Sequence, residues 1–261
     1  MPTTAQPFDA NMSNWKENQR APWGRLRYSI AQVNLRRHLP QRLLRILDVG
    51  GGNGLDAVAC AEQGHSVMLV DFSAEMLTEA RHLAEEHSVA ARMTFHQADV
   101  NAIPTLFPDP AFDVVLCHNV VQYVDDPAAL LRAVCHPLKR DGLLSLMSVN
   151  PESEVYRLAM MQLDPGAARA SLDATMGFAT VFGVPVHRCQ AADMIDLLIS
   201  TGCEVLGRYG VRSVCDYIAN NDIKSDPAFF AQLERLEHAL SDRHPYLLLA
   251  RFFQIIARKT A

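Results

Sequence analysis

A glycine-rich loop lies where a predicted strand meets a predicted helix. The segment DVGGGNG at positions 48–54 follows a short apolar run. Glycines allow the backbone to come close to a ligand, and the start of the following helix attracts electron-rich groups. The dinucleotide pattern G-x-G-x-x-G fails because its sixth position, counted from Gly50, is Leu55, and no Gly-Lys-Ser/Thr sequence follows. The loop therefore predicts a ligand site that is not built for a pyrophosphate.

Two acidic residues stand at the ends of the next two predicted strands. Asp71 closes the second strand, 21 residues after Gly50, and Asp99 follows the third. Parallel strands bring their carboxyl ends to one edge of a sheet, so we expect both acids beside the glycine loop. A carboxylate at Asp71 can accept hydrogen bonds from two ribose hydroxyls, while Asp99 can meet an adenine amino group or cap a helix. Together the loop and the two acids predict a nucleoside site.

Short apolar runs alternate with helical patterns along the first part of the chain. Strands are predicted at residues 45–49, 66–71, 93–96, 112–117 and 142–149, with helices at 54–64, 73–86 and 127–138. Runs that are apolar on both faces and alternate with helices predict a parallel sheet covered on both sides. Two later β-like stretches, 204–214 and 251–258, flank a helical segment and are predicted to pair as the last two strands of that sheet.

Composition divides the chain into four segments. Residues 1–20 are polar and lack apolar periodicity, so we expect a flexible N-terminal arm that can order over a ligand. Residues 21–150 are predicted to form the ligand-binding core, and residues 151–190, which mix Met, Phe and Pro, an inserted lid. Residues 191–261 are predicted to complete the same sheet.

Charge and hydropathy exclude several classes of function. The chain has 261 residues, is 49% hydrophobic, and carries a formal charge of −5, which is typical of a globular protein that does not coat nucleic acid. No apolar run is long enough to cross a bilayer and no secretion signal is visible, so we expect a cytoplasmic protein without a membrane partner. The six cysteines are predicted to be buried free thiols, and no metal site is expected.

The loop at 48–54, Asp71 and Asp99 resemble the motifs of class I S-adenosylmethionine-dependent methyltransferases over about residues 40–150. The resemblance implies an α/β fold: a Rossmann-like seven-stranded methyltransferase sheet with helices on both faces, an antiparallel final strand and an inserted lid. It also implies that the chain binds S-adenosylmethionine and releases S-adenosylhomocysteine.

A narrower resemblance extends over nearly the whole chain. The segments WGRLR at 23–27, CHNVVQYV at 117–124 and YGVRSVCDY at 209–217 are similar to the family of the bacterial tRNA carboxymethoxyuridine methyltransferase. That family esterifies a carboxylate on a wobble uridine. The resemblance implies that Arg27 pairs with the methionine carboxylate and that His118 borders the sulfonium.

The predicted cofactor site combines the residue pattern with this resemblance. The resemblance implies that Gly50 and Gly51 line the cofactor and that Asp71 holds its ribose. The full set is Arg27, Asp48, Gly50, Gly51, Gly52, Gly54, Asp71, Phe72, Met76, Ala98, Asp99, Val100 and His118.

Acceptor chemistry decides which further residues matter. Methyl transfer from a sulfonium is an in-line displacement, so the enzyme mainly aligns the reactants, and only an alcohol, phenol or ammonium acceptor has to lose a proton. His118 and Tyr123 follow the fourth strand and are the predicted catalytic residues, although His118 is equally expected to pack against the cofactor. Guanidinium groups can bind an acidic acceptor through two parallel hydrogen bonds, so the predicted acceptor site includes arginines. That site comprises Arg157, Met161, Phe178, Arg212 and Tyr217.

Three functions stay open at this level. Lid residues 165–185 contain one basic residue, Arg169, where the tRNA-modifying family has a lysine-rich stretch. This difference favours methyl transfer to an oxygen, nitrogen or carboxylate of a small-molecule acceptor, an acidic one if the arginines bind it. Methylation of a tRNA carboxylate is disfavoured and predicts a basic surface around the cofactor mouth. A non-catalytic S-adenosylmethionine-binding protein predicts a site without an open channel for an acceptor.

Overall fold

Seven strands form the central sheet of the computed structural model, which describes residues 4–260. Two further strands form a separate hairpin in the lid. The strands are β1 (Arg45–Val49), β2 (Ser66–Asp71), β3 (Met93–Gln97), β4 (Phe112–His118), β5 (Leu138–Val149), the hairpin strands β6 (Met176–Ala179) and β7 (Val184–His187), β8 (Cys203–Val211) and β9 (Phe252–Lys259). Their order in the sheet, β3-β2-β1-β4-β5-β9-β8, confirms the predicted seven-stranded Rossmann-like architecture.

The last strand along the chain lies inside the sheet, not at its edge. β9 runs antiparallel to both of its neighbours, β5 and β8, whereas β1 to β5 are mutually parallel wherever they pair. Within β9, Gln254 stands between Met147 of β5 and Tyr209 of β8. The predicted pairing of the two late strands is therefore confirmed, and so is the antiparallel direction of the final strand.

Helices cover both faces of the sheet. The helices are α1 (Gln6–Ala10), α2 (Met12–Arg20), α3 (Pro22–Arg36), α4 (Leu55–Glu62), α5 (Ala74–Glu86), α6 (Ile103–Leu106), α7 (Pro127–Cys135), α8 (Pro151–Tyr156), α9 (Pro165–Ala170), α10 (Ala191–Ser200), α11 (Pro227–Leu240) and α12 (Tyr246–Leu249). Apolar side chains of α7 and α10 pack on one face, and those of α3, α4 and α5 pack on the other. Neighbouring residues of β1 show why both faces need cover: Ile46 belongs to the second core and Leu47 to the first, and both are fully buried.

The N-terminal segment differs from the predicted loose arm. Residues 6–20 form α1 and α2, while residues 1–3 of the predicted arm lie outside the described residues. The polar sequence has no helical stripe of its own, but Phe8 and Trp15 each pack against Phe182 of the lid. Tertiary contacts of this kind stabilise short helices that local propensity does not predict. The sequence pattern did not predict these two helices because it considered only local sequence.

The segment between β5 and α10 contains short, irregular elements. α8 continues into a π-helical turn at Arg157–Met161, α9 follows, and the hairpin β6–β7 completes it. The sequence predicts partial helix here but not the hairpin, because β6 has only four residues and two of them are exposed.

Three further properties concern the described part of the chain. No helix within residues 4–260 combines the length and apolar character that crossing a membrane requires. In the same residues, His, Cys, Asp and Glu side chains form no group of three or more that could hold a metal ion. All six cysteines are buried and free, as predicted.

Candidate functional site

A cavity of about 710 Å³ opens at the carboxyl ends of the central parallel strands. The loops after β1, β2 and β4 form its floor, and parts of α2, the lid hairpin and the turn after β8 form its sides. The chain leaves β1 toward one face of the sheet and leaves β4 toward the other, so a crevice opens between these two neighbouring strands. Ligands of open parallel sheets bind in such a crevice. The cavity thus lies at the sheet edge that carries the predicted ligand residues.

The glycine loop brings bare backbone to the cavity. Gly50 and Gly52 have φ angles of +66° and +56°, a conformation that side-chain-bearing residues rarely adopt. A Cβ on Gly50 would lie 2.5 Å from a methyl carbon of Val120, and one on Gly52 would lie 2.7 Å from the indole of Trp15. Both positions therefore require glycine for backbone conformation and for space.

Asp71 organises the loops on either side of it. Its Oδ2 accepts a hydrogen bond from the backbone N–H of Gly52 at 2.9 Å, and its Oδ1 accepts one from Ser73 at 2.9 Å. Burial raises the pKa of the Asp71 carboxyl, although these backbone hydrogen bonds oppose the effect. Each carboxylate oxygen keeps a further lone pair that can accept from a ligand hydroxyl.

A buried ionic network lies beneath the cavity floor. Arg27 of α3 donates to Asp56 of α4 at 2.5 Å, and the same carboxylate oxygen accepts from Nδ1 of His118 at 2.9 Å. The other ring nitrogen of His118 bonds to the hydroxyl of Ser145 at 2.8 Å, and Gln254 donates to that hydroxyl at 3.0 Å. The network joins α3, α4, β4, β5 and β9.

The charge states of this network follow from its contacts. Burial alone would raise the pKa of Asp56, but Arg27 and His118 outweigh it and hold the pKa well below its usual range. Burial lowers the pKa of His118 despite the attraction of Asp56. The imidazole is therefore neutral near pH 7, with its proton on Nδ1 facing the carboxylate and its Nε2 accepting from Ser145.

Asp48 carries a buried polar atom without a partner. Its Oδ2 makes no hydrogen bond in the described structure, and it would lie 2.6 Å from a Cβ placed on Gly51. Burial, followed by repulsion from Asp56, raises the pKa of Asp48 well above its usual value. A buried polar atom of this kind is satisfied when a ligand brings a hydrogen-bonding group.

Aromatic side chains close one end of the cavity. Phe8 of α1 packs against Phe72, Tyr123 and Phe182, with ring centroids 5.4, 5.3 and 4.8 Å away. Ala98, Asp99 and Val100 line the same cavity. Asp99 also caps a short helical turn by accepting from the backbone N–H of Asn101 at 2.8 Å. Asp99 is thus placed both to cap this turn and to contact a ligand in the cavity.

Arginines surround the opposite end. Arg212 has φ +66° and forms a two-point ion pair with Asp216, and Glu154 pairs with both Arg157 and Arg251. The turn that carries Arg212 is held by Glu237 of α11. This buried carboxylate accepts backbone hydrogen bonds from Ser213, Val214 and Cys215 at 2.6, 3.0 and 2.7 Å.

The structure brings most of the predicted site residues to one cavity. Those in its wall are Arg27, Asp48, Gly50, Gly51, Gly52, Asp71, Phe72, Met76, Ala98, Asp99, Val100, His118, Tyr123, Phe178 and Arg212. The predicted residues that do not line it are Gly54, Arg157, Met161 and Tyr217.

Three of the residues outside the wall have contacts elsewhere, and Met161 ends the π-helical turn that follows α8. Gly54 is the N-cap of α4 and faces Ala80. Tyr217 donates its hydroxyl to the backbone carbonyl of Leu249 at 2.8 Å. Arg157 reaches the cavity only through Glu154, which does line it. For Arg157 and Tyr217, the sequence spacing did not reveal the direction of the side chain.

Several residues of the wall were missed at the sequence level. They are Phe8, Trp15, Gln19, Asp56, Glu154, Phe182, Arg188 and Arg251. Asp56 had a usable signal, because an acid in the first turn of the helix after a glycine loop must face the sheet edge or solvent. The others lie on distant segments whose approach depends on the tertiary fold.

Comparisons with known proteins agree with this geometry. Residues 40–199 match the model of a family described as a methyltransferase domain. The chain is 31% identical over 247 residues to the tRNA 5-carboxymethoxyuridine methyltransferase of Escherichia coli K12, covering 90% of this chain and 89% of that protein. It is 33% identical over 129 residues to a ubiquinone biosynthesis O-methyltransferase of Xylella fastidiosa, covering 48% of this chain and 50% of that protein.

A solved structure shows the same fold. The S-adenosylmethionine-dependent methyltransferase of Mesorhizobium loti superimposes with a TM-score of 0.57 at 23% identity, covering 87% of this chain and 96% of that one.

Proposed function

The chain belongs to the S-adenosylmethionine-dependent methyltransferases, and from that premise we propose that it methylates a carboxylate of a small acidic acceptor. When bound, S-adenosylmethionine supplies an activated methyl group on its sulfonium sulfur. The acceptor and the roles of the site residues are part of this proposal.

The cavity wall fits S-adenosylmethionine in the half that contains the glycine loop. The backbone at Gly50 is left bare, the carboxylate of Asp71 retains accepting capacity for ribose hydroxyls, and the unpartnered oxygen of Asp48 suits a polar group of the ligand. We assign the aromatic end beside Phe72 and Asp99 to the adenine. Arg27, held by Asp56, is assigned to the methionine end.

The hydrogen bonds of His118 decide which class of acceptor we propose. Both of its ring nitrogens are engaged by protein groups, Nδ1 by Asp56 and Nε2 by Ser145, and burial keeps the ring neutral. A general base needs a free nitrogen within hydrogen-bond reach of the acceptor proton. The arrangement favours His118 as a positioning residue for Asp56 and Arg27 over the predicted role as base.

Two tyrosines, one glutamate and a second histidine of the described wall are also poorly suited to remove a proton. Burial raises the pKa values of Tyr28 and Tyr123 to about 12, so both phenols stay protonated near pH 7. Glu154 is bound to arginines, and these hold its pKa at about 2 against the effect of burial. His187 bonds to Asp125 at 3.2 Å. It is the last residue of β7, and Arg188 continues the pairing by one residue, so the two side chains lie on opposite faces of the hairpin.

A carboxylate acceptor needs no base, because it is already ionised and nucleophilic at neutral pH. The arginines at the far end of the cavity attract an acid of this kind. Arg188, Arg212 and Arg251 line that end, where Glu154 and Asp216 are the carboxylates paired with the arginines. The positive surplus favours an acidic acceptor over a neutral phenol or amine.

A wobble carboxymethoxyuridine of tRNA is the second candidate acceptor. One observation favours it: the relative named for that activity matches 90% of this chain. The single basic residue in lid residues 165–185 favours the small acid instead, because tRNA binding draws on many phosphate contacts.

The nature of the product tests the proposal. The protein is incubated with S-adenosylmethionine labelled in its methyl group, with a small-molecule metabolite extract in one series and bulk tRNA in another. A carboxyl methyl ester releases labelled volatile methanol in mild base, whereas ethers and methylamines keep their label. We expect base-labile label in the small-molecule fraction. Base-stable label would contradict carboxylate methylation, and base-labile label in tRNA alone would establish the second candidate.

A substitution at His187 tests the second histidine of the cavity wall as a proton acceptor. We expect His187→Gln to keep the rate within about twofold, since loss of a general base typically costs about 100-fold or more. A loss of that size would assign the base to His187 and point to an acceptor that must be deprotonated.

A further inference from the structure

One arginine of the acceptor end differs from the others in its partners. Arg157 and Arg251 share Glu154, and Arg212 is bound at two points by Asp216. Arg188 makes no ion pair with any carboxylate in residues 4–260. It is half-buried in the cavity wall, where a charge gains more from a partner than it does in open solvent.

The hairpin directs Arg188 into the cavity. Its backbone N–H donates to the carbonyl of Thr175 at 3.0 Å, which continues the β6–β7 pairing by one residue. A Cβ on Gly177 would lie 3.4 Å from Val186 and 3.6 Å from Cγ of Arg188, so these three residues share one face. Val186 on that face is buried, whereas Phe178 on the other face is 62% exposed.

The guanidinium of Arg188 can also donate further hydrogen bonds. One terminal nitrogen donates to the backbone carbonyl of Pro151 at 3.0 Å, directly after the carboxyl end of β5. That contact fixes the guanidinium against the sheet edge and uses one of its five N–H groups. The remaining groups form the planar fork that matches the two oxygens of a carboxylate.

We propose that Arg188 is the binding site for the acceptor carboxylate and therefore the residue that selects acidic acceptors. The inference rests on the proposed function, and it adds a ligand contact on a lid residue outside the predicted site. Because Arg188 bridges the lid hairpin and the end of β5, an acceptor bound to it is held by both. A neutral acceptor leaves this half-buried charge without a partner and is rejected.

The test compares three variants in the labelled-methyl assay. Arg188→Gln removes the charge, Arg188→Lys keeps the charge but loses the fork, and Arg140→Gln is a matched control on the exposed amino-terminal part of β5. A dilution series of the metabolite extract, or of tRNA if that fraction carries the label, gives the ratio of acceptor KM values without identifying the acceptor. Calorimetry with S-adenosylhomocysteine and thermal unfolding report cofactor binding and folding separately.

We expect Arg188→Gln to raise the acceptor KM about 10- to 100-fold, as loss of charge-assisted hydrogen bonds does. Arg188→Lys should lie between wild type and Arg188→Gln, and Arg140→Gln should match wild type. Cofactor affinity and the unfolding temperature should not change. Base-labile product with an unchanged KM in Arg188→Gln overturns this inference and leaves the proposed function standing, as does a loss confined to cofactor affinity. Base-stable product from wild type overturns both.

Discussion

Asp56 is the central residue of the buried network beneath the proposed cofactor half of the site. It is shared by the guanidinium of Arg27 and the imidazole of His118, and all three side chains are buried. Removing one partner from a buried ion pair leaves an uncompensated charge, which typically costs about 3–5 kcal/mol. Asp56 therefore couples the packing of α3 on α4 to the geometry of the proposed cofactor site.

Replacement of Asp71 tests the assignment of the ribose. Asp71→Asn keeps the size of the side chain but removes its charge and one of its two acceptor oxygens. We expect S-adenosylhomocysteine to bind about 10- to 100-fold more weakly, since hydrogen bonds to a charged group contribute roughly 1.5–3 kcal/mol. Calorimetry measures the effect, and Asp109→Asn, on an exposed loop, is the control. Equal affinity in both variants would remove Asp71 from the cofactor site.

The lowered pKa of His118 predicts a pH-dependent stability. A group whose pKa is lower in the folded state than in the unfolded state binds a proton on unfolding, so the free energy of unfolding falls as the pH drops below about 6.5. We expect wild type to lose stability between about pH 7 and pH 5, by at most about 1.4 kcal/mol per pH unit for this group. His118→Asn should show a shallower slope.

Urea unfolding at several pH values measures both slopes. Burial also lowers the pKa values of His38, His65 and His238. The diagnostic quantity is therefore the difference between wild type and His118→Asn, and identical slopes would mean that His118 titrates normally in the folded protein.

At the scale of elements, α1 and α2 act as a cover for the cavity. Gln19 of α2 exchanges two side-chain hydrogen bonds with Asn53 of the glycine loop, at 2.8 and 3.1 Å, and Asp9 accepts from Ser73 at 2.5 Å. Phe8 joins the cover to the lid through Phe182. The cover thus bonds to the segments that follow β1 and β2, which contain the glycine loop and Phe72 of the proposed cofactor site.

Truncation of Phe8 tests whether this cover retains the cofactor. We expect Phe8→Ala to accelerate dissociation of S-adenosylhomocysteine several-fold, because aromatic pairs contribute about 0.5–1.5 kcal/mol each beyond their buried area. Stopped-flow displacement measures the rate. Asn14→Ala, an exposed change on α2, should leave it unaltered. If both variants release the ligand at the wild-type rate, α1 has no part in retention.

At the scale of the whole molecule, β9 joins the two halves of the sheet. In the sheet it lies between β5 and β8. β5 is next to the strands that carry the proposed cofactor residues, and β8 ends directly before Arg212. Its Gln254 also donates to Ser145 of the network under the cavity floor. The geometry of both ends of the cavity therefore depends on the packing of the last strand along the chain.

A pair of isoleucines tests the contribution of this strand to stability. Ile255 is fully buried in β9, and we expect Ile255→Ala to cost about 2–5 kcal/mol through lost burial and the cavity left behind. Ile199 is 57% exposed on α10, so Ile199→Ala should cost less than about 1 kcal/mol. Urea denaturation measures both values. Comparable losses would show that β9 does not have the central place in the core described above.

Local sequence was sufficient for the parts of this protein that depend on short-range pattern. Apolar runs on both faces identified the parallel strands, and the bare glycine loop with Asp71 marked the ligand edge, because strand direction and backbone clearance follow from neighbouring residues. The tertiary structure alone decided that Phe8 covers the cavity, that Arg27 and His118 share the carboxylate of Asp56, and that Arg188 faces inward without an ion pair. These are contacts between distant segments, and their geometry is set by packing that no local periodicity encodes.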